Sequence, residues 1–328
     1  MKRKVIKQGH NALTITLPSK WIKKNKINKD SEVDIVDQGK KLLVSIEKTE
    51  EIRKATIKIK NVDRFLKHYP YNYFLRSIDV LYRLGYDEIE IIFDNSKVLD
   101  YIHEELEFLL GFEIVNQGEK ICIIRNIAQG LEKEFDSIMK RIFLMNISTA
   151  KDGFNAISNN EINRLNDLIH LEKINNKLTN FCERLLNKTG YRDPQKTSLI
   201  YSMLVLHEQI ADDFKFMYQY LLRLNKGLSK ATLNFYKKTI DFFELYHKLF
   251  YNFDREKLCN MGIMRRKLLE DDVVKLSQTQ PHHELFVLSY LIGIINKIYH
   301  MTESLIEDDI ESGSLEGYNT VQEIYKNK

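Results

Sequence analysis

Residues 3–27 read RKVIKQGHNALTITLPSKWIKKNKI. Val5 and Ile6 open a short strand. The run ALTITLP then alternates, with Leu13, Ile15 and Leu17 on one side and Thr14 and Thr16 on the other, the period-2 pattern of a half-buried strand. Gly9 and Asn11 supply a turn between the two, since both tolerate positive φ. Pro18 lacks an N–H for the ladder and ends the strand. Ser19 is placed to cap a short helix, KWIKKN, whose apolar contacts are Trp21 and Ile22. Further on, EVDIVDQGKKLLVSIE reads as a second hairpin, with Val33, Ile35, Leu43 and Val44 as its apolar residues and Gln38-Gly39-Lys40 as its turn.

The charge of this head sets it apart from the rest of the 328 residues. The first 29 residues hold nine Lys or Arg and no acid. Residues 1–48 carry twelve basic and five acidic side chains, net +7, and the remainder is net −3. A positive head on a slightly negative body points to a polyanion as the head's partner. About 48 residues of short strands bury too little surface to stand alone, so the head is expected to dimerise. Three scattered cysteines, Cys122, Cys182 and Cys259, read as reduced, buried thiols of a cytosolic protein. No signal segment and no run of eighteen apolar residues is evident, so a cytoplasmic protein without membrane insertion is expected.

In this order of parts (basic strand, Gly turn, LTITLP, basic helical turn, SEVDIVDQGKKLLV) residues 3 to about 46 resemble the AbrB/MazE/SpoVT family of swapped-hairpin DNA-binding domains. The resemblance implies that two chains interlock their hairpins into one barrel that binds double-stranded DNA. Carried over by position, it places Arg3 with Lys4 and Lys7, His10 and Asn11 at the turn, and Lys20, Lys23 and Lys24 after the proline on the DNA face. Many relatives have Arg where this chain has His10-Asn11, and Arg offers guanine a bidentate contact that His does not. Lysine contacts with phosphates give affinity and salt dependence more than sequence choice. Some relatives serve only as dimerisers or protein partners.

Residues 50–126 read β-α-β-α-β-β: IRKATIKIKN, a helix over VDRFLKHYPYNYFLRSIDVLYRLG with a break at Pro70, DEIEIIF, a helix from the cap Ser96 to Gly111, and a hairpin FEIV-NQGE-KICIIRN. This is a small α/β module with no Gly-rich phosphate loop, no ligand cluster and no nucleophile–base spacing. His68 and His103 stand alone. A rigid coupler is the expected role.

From residue 127 to 313 the pattern is helical, with breaks near 153–160, 188–194, 226–229 and 278–281 and a softer one near 252–255. Six helices are expected, over 128–155, 161–188, 195–225, 229–252, 255–277 and 282–311, followed by a tail over 314–328. Ile200, Met203, His207, Ile210, Phe214, Met217, Leu221 and Leu224 follow 3-4 spacing, the seam of antiparallel bundle packing. Leu288, Leu291, Ile295, Ile298, Thr302 and Leu305 repeat it, so the body reads as two halves of three helices. On the motif LHEQIADDFKFM, residues 206–217, the body resembles the PhoU family of tandem three-helix bundles. The whole chain resembles the archaeal AbrB–PhoU fusion proteins described as phosphate uptake regulators.

Glu208 and Asp212 lie at i, i+4 and share one helix face, where two carboxylates repel unless a cation sits between them. In PhoU relatives the carboxylates of this signature bind metal clusters, which implies a divalent or iron-type metal ion at Glu208 and Asp212. Lys215, three residues past Asp212, is the other cation that would serve. Aligned on the seams, Asn296 and His300 replace the acidic pair in the second half, so a second metal site is not expected. His207 reads as a packed core histidine.

These readings combine into a multidomain chain: a small all-β swapped-hairpin dimer domain, a small α/β module, then an all-α PhoU-like pair of three-helix bundles. The expected function is a DNA-binding transcriptional regulator of phosphate homeostasis, a homodimer and not an enzyme. Its partners would be duplex DNA and a phosphate transporter or sensor kinase. The alternative is an interaction scaffold whose head only dimerises.

Overall fold

The computed structural model describes residues 2–9, 12–37, 42–45, 52–64, 73–128 and 130–306. The chain divides into two compact units, residues 1–52 and 53–328. The architecture is a small β-rich N-terminal region followed by an α/β sheet and a large helical body.

In the first unit, β1 (Ile6–Gln8) pairs antiparallel with β2 (Ala12–Thr14), in the register Ile6↔Thr14, Lys7↔Leu13, Gln8↔Ala12. The ladder stops at Thr14, well before Pro18, because only three residues lie opposite it in this chain. The helix α1 spans Ser19–Lys24, and the residue before it is Pro18. Ser19 is therefore the first helical residue, not the cap, and no side chain caps this end. A second hairpin pairs β3 (Asp34–Asp37) with β4 (Leu42–Ser45) in the register Ile35↔Val44. Its turn over 38–41, like His10 and Asn11, lies outside the described residues.

The second unit opens with a four-stranded sheet of β5 (Lys54–Ile59), β6 (Glu88–Phe93), β7 (Phe112–Gln117) and β8 (Ile121–Asn126), in the spatial order β5-β6-β8-β7. β5 and β6 run parallel, and β8 is antiparallel to both its neighbours. The helices α2 (Tyr73–Arg83) and α3 (Val98–Leu106) follow β5 and β6 in the chain. Ile78, Tyr82, Ile89, Ile91, Val98, Ile102, Cys122 and Ile124 are buried in one core with them. The register aligns Lys54, Glu88, Arg125 and Glu113 across the four strands, and Glu88 bridges Lys54 and Arg125. Pro70 and His68 lie outside the described residues.

The helical body comprises α4 (Phe135–Ser158), the short α5 (Leu165–Ile169), α6 (Leu171–Thr189), α7 (Thr197–Leu224), α8 (Lys230–Tyr251), α9 (Arg255–Arg266), α10 (Val273–Thr279) and α11 (His282–Met301). A π-helical stretch, Lys267–Asp272, joins α9 to α10. The seam residues Ile200, Met203, His207, Ile210, Phe214, Met217 and Leu221 are buried, as are Leu288, Leu291, Ile295, Ile298, Thr302 and Leu305. α4 begins later than expected, after a 3-10 turn at Leu131–Glu134. It continues through Gly153 and ends at Ser158, within the break expected near 153–160. A Cβ at Gly153 would fall 2.1 Å from the Tyr218 hydroxyl oxygen, so glycine is what lets the α7 tyrosine reach the α4 backbone. The expectation of no membrane-length run needs correcting. By length and composition the helix His282–Ile306 could cross a bilayer. Its apolar side chains Val287, Leu291, Ile294, Ile295 and Ile298 supply the bundle's core. Cys122 and Cys182 are buried, but Cys259 is exposed, against the expectation of three buried thiols.

Sheet module and bundle belong to one unit, and a buried arginine joins them. Arg184 of α6 is 2% exposed and donates to the carbonyls of Tyr82 (2.8 Å) and Tyr86 (2.5 Å) and to Asp87 (2.6 Å). Its guanidinium lies over the rings of Tyr82 and Phe112, 5.1 Å from each centroid. Around it, Arg83 pairs with Asp79 and Glu183, Asn180 donates to Asp79, and Lys188 pairs with Asp87. The partners are about a hundred residues apart, so no local pattern announces them.

Candidate functional site

The first candidate is the basic surface of the head. Arg3 and Lys4 precede β1, Lys7 lies on it, and Lys20, Lys23 and Lys24 lie on α1. All six are exposed, and none forms an ion pair among the described residues. The helix follows Pro18 and closes at Asn25, whose side chain donates to the Trp21 carbonyl at 2.8 Å. Exposed basic groups without an ion pair among the described residues form a surface that attracts phosphate.

The apolar residues of the same unit are also uncovered. Leu13 is 73% exposed, Ile35 63% and Leu42 62%, with Val5, Ile6 and Ile15 above half. No residue of this unit whose side chain is described is buried. The alternation of ALTITLP gives a face that would be half-buried, yet Leu13 and Ile15 on it are exposed among the described residues. A unit that displays this much apolar surface resembles half of an interface.

The second candidate is the carboxylate face of α7. Glu208 is half-buried and lines a cleft of about 480 Å³ within the second unit, together with Asp79, Arg83, Glu105, Asn176 and Glu183. Burial, then the neighbouring Asp212 carboxylate, pushes the Glu208 carboxyl up to about 7. Burial pushes Glu105 up to about 8. Burial raises Asp79 and Glu183 as well, against the pull of Arg83.

Asp212 has a different partner. The Lys215 ammonium lies 2.5 Å from Asp212 and 3.0 Å from Glu172 of α6, so it bridges two helices. Burial opposes its charge, yet the hydrogen bonds to Asp212 and Glu172 hold its pKa above the usual lysine value. Glu208 and Asp212 therefore share a helix face but not a partner. Among the described residues, no three His, Cys, Asp or Glu side chains gather as a metal site would need. The i, i+3 spacing made Lys215–Asp212 readable from sequence, whereas Glu172, forty residues away, gave no such signal.

In the second half Asn296 receives Nε (3.2 Å) and Nη2 (2.7 Å) of Arg265 from α9, and His300 faces Glu303 at 3.8 Å. His207 is fully buried, edge-on to Phe143 at 4.2 Å, with its Nε2 unpartnered. Burial and the neighbouring His247 push its pKa down to about 3, so it is neutral. It packs as a core residue.

Residues 6–53 match the model of a family described as antidote-toxin recognition MazE, bacterial antitoxin. The match covers the head alone, which is thus a MazE/AbrB-type domain of the kind found in DNA-binding or antitoxin-type regulators. No curated protein and no solved structure matches the chain.

Proposed function

We propose that this protein is a DNA-binding transcriptional regulator of phosphate uptake, cytoplasmic and dimeric through its head. The observation that carries the proposal is the head's surface: six exposed basic side chains, none in an ion pair among the described residues, four of them (Lys7, Lys20, Lys23 and Lys24) within the segment that matches a MazE-type domain. Such a surface binds polyanions, and duplex DNA is the polyanion that the resemblance to swapped-hairpin domains names. The exposed Leu13, Ile35 and Leu42 are the side chains that a second copy would cover.

The body is read as PhoU-like. Supporting this are the two seams on α7 and α11 and the motif LHEQIADDFKFM. Its role would be to receive phosphate status through a protein, a phosphate transporter or a sensor kinase, and not to catalyse a reaction. The Arg184 joint ties the bundle to the sheet module, so the two would move as one body. The phosphate link is tested by deleting the gene and measuring transcripts of phosphate-transport genes in high and low phosphate. Altered repression is expected. Identical transcript levels in both media would remove phosphate from the account.

The family's description favours a second reading. Its members are named for recognition of a toxin, so the head could serve protein recognition and dimerisation within a scaffold. Absence of duplex binding at low salt by a dimeric protein would select that reading.

A further inference from the structure

The cation between α6 and α7 belongs to the chain. Lys215 Nζ touches Asp212 on its own helix and Glu172 on the other, at 2.5 and 3.0 Å. All three groups are shielded: Lys215 is 18% exposed, Glu172 11% and Asp212 29%. The ring of Phe216 lies 4.6 Å from the ammonium. A small cavity, lined by Glu172, Asn175 and Lys215, adjoins it. Neither end of the Asn175 amide has a partner there.

A divalent ion bound by oxygen ligands needs about six of them around one point. Here the point where Glu172 and Asp212 converge is the position of Nζ. The second half has the same device with the components exchanged. Arg265 on α9 donates twice to Asn296 on α11 and stacks on Tyr299 at 4.7 Å. Lys215 ties the seam helix α7 to α6, and Arg265 of α9 ties to the seam helix α11, so each seam helix is held to a neighbour by a side-chain cation. The residues present therefore do not fit the resident metal that the resemblance implies.

We propose that the Lys215 ammonium is the built-in cation of the first half: it fills the carboxylate site between α6 and α7, the bundle folds without metal, and removing the ammonium unmasks a divalent-cation site at Glu172 and Asp212. The proposal is independent of what the head binds.

The test uses the full-length protein purified without chelator. Elemental analysis of the wild type should find no stoichiometric metal. Its melting temperature should be the same in EDTA and in about 1 mM MnCl2. Lys215→Ala and Lys215→Met should melt lower in EDTA, because two shielded carboxylates then face each other. Mn²⁺ should raise their melting temperatures by about 3 °C or more. Adding Asp212→Asn to either variant should abolish the rise. Lys215→Met keeps the alkyl stem, so the arm survives if Lys215→Ala fails to fold. Metal in the wild type that Glu172→Gln or Asp212→Asn removes would overturn the proposal. So would Lys215 variants that melt identically in EDTA and Mn²⁺.

Discussion

Replacing Arg184 with Met tests the joint between the sheet module and the bundle. Methionine keeps most of the buried stem but removes every donor. The carbonyls of Tyr82 and Tyr86 lose their bonds from the guanidinium, 2.8 and 2.5 Å long. The Tyr82 carbonyl keeps the Gly85 amide at 2.9 Å, so the stranded acceptor is that of Tyr86, at a cost of about 1–3 kcal/mol. Asp87 loses its 2.6 Å contact but keeps Lys188 at 2.8 Å and the Arg53 amide at 3.2 Å. Its charge is not orphaned, so the roughly 3–5 kcal/mol of a broken buried pair applies only in part. The loss should be about 2–3 kcal/mol in all, or roughly 5–8 °C in a unit of this size. Far-UV circular dichroism reports it, because the bundle dominates the helical signal. Asp87→Asn should cost a comparable amount, since it leaves both the buried Arg184 guanidinium and the Lys188 ammonium without their carboxylate. The double variant should show a coupling of about 1–3 kcal/mol. A loss below about 1 kcal/mol for Arg184→Met would refute the idea that this arginine locks module and bundle together.

Gly153→Ala should destabilise by about 1–3 kcal/mol in a thermal melt, although alanine is normally the better helix former, because the new Cβ meets the Tyr218 hydroxyl. Glu208→Gln should stabilise at pH 8 and not at pH 4. The native carboxyl resists ionisation until about 7 while the unfolded one ionises near 4.5, so wild type loses stability as pH rises through that window. Discounted for partial solvation, the gain is about 1–2 kcal/mol, read from urea midpoints. His207 has the opposite sign. The unfolded imidazole takes up a proton below about 6.5 that the native one refuses until about 3, so stability falls as pH drops. The pH 7 to pH 5 loss should exceed that of His207→Gln by about 2 kcal/mol.

The local patterns were readable and the distant partnerships were not. The alternation in ALTITLP and the turn at Gly9 fixed the first hairpin, and the 3-4 spacing from Ile200 to Leu221 fixed the face of α7 that is buried. Both are signals within one element. Pro18 marked a boundary correctly, but the ladder ends sooner, at Thr14, because ladder length depends on the strand opposite. The need for glycine at 153 gave no local signal, because the ring that requires it comes from another helix. Arg184 and Asp87 stood out in no pattern, since each gains its meaning from a side chain far away in the chain. Of the expected DNA contacts, Arg3, Lys4, Lys7, Lys20, Lys23 and Lys24 are exposed as foreseen, while His10 and Asn11 lie outside the described residues.

The measurement closest to the central claim is the salt dependence of duplex-DNA binding by the full-length protein, compared with Lys23→Ala/Lys24→Ala. Each phosphate neutralised adds about 0.9 to the slope of log affinity against log salt. The wild type should bind duplexes of any sequence at low salt with a steep slope. The double variant should bind more weakly on all of them, with a slope flatter by about two for each protomer engaged. Equal affinities and equal slopes for the two proteins, or no binding by the wild type at low salt, would contradict the account.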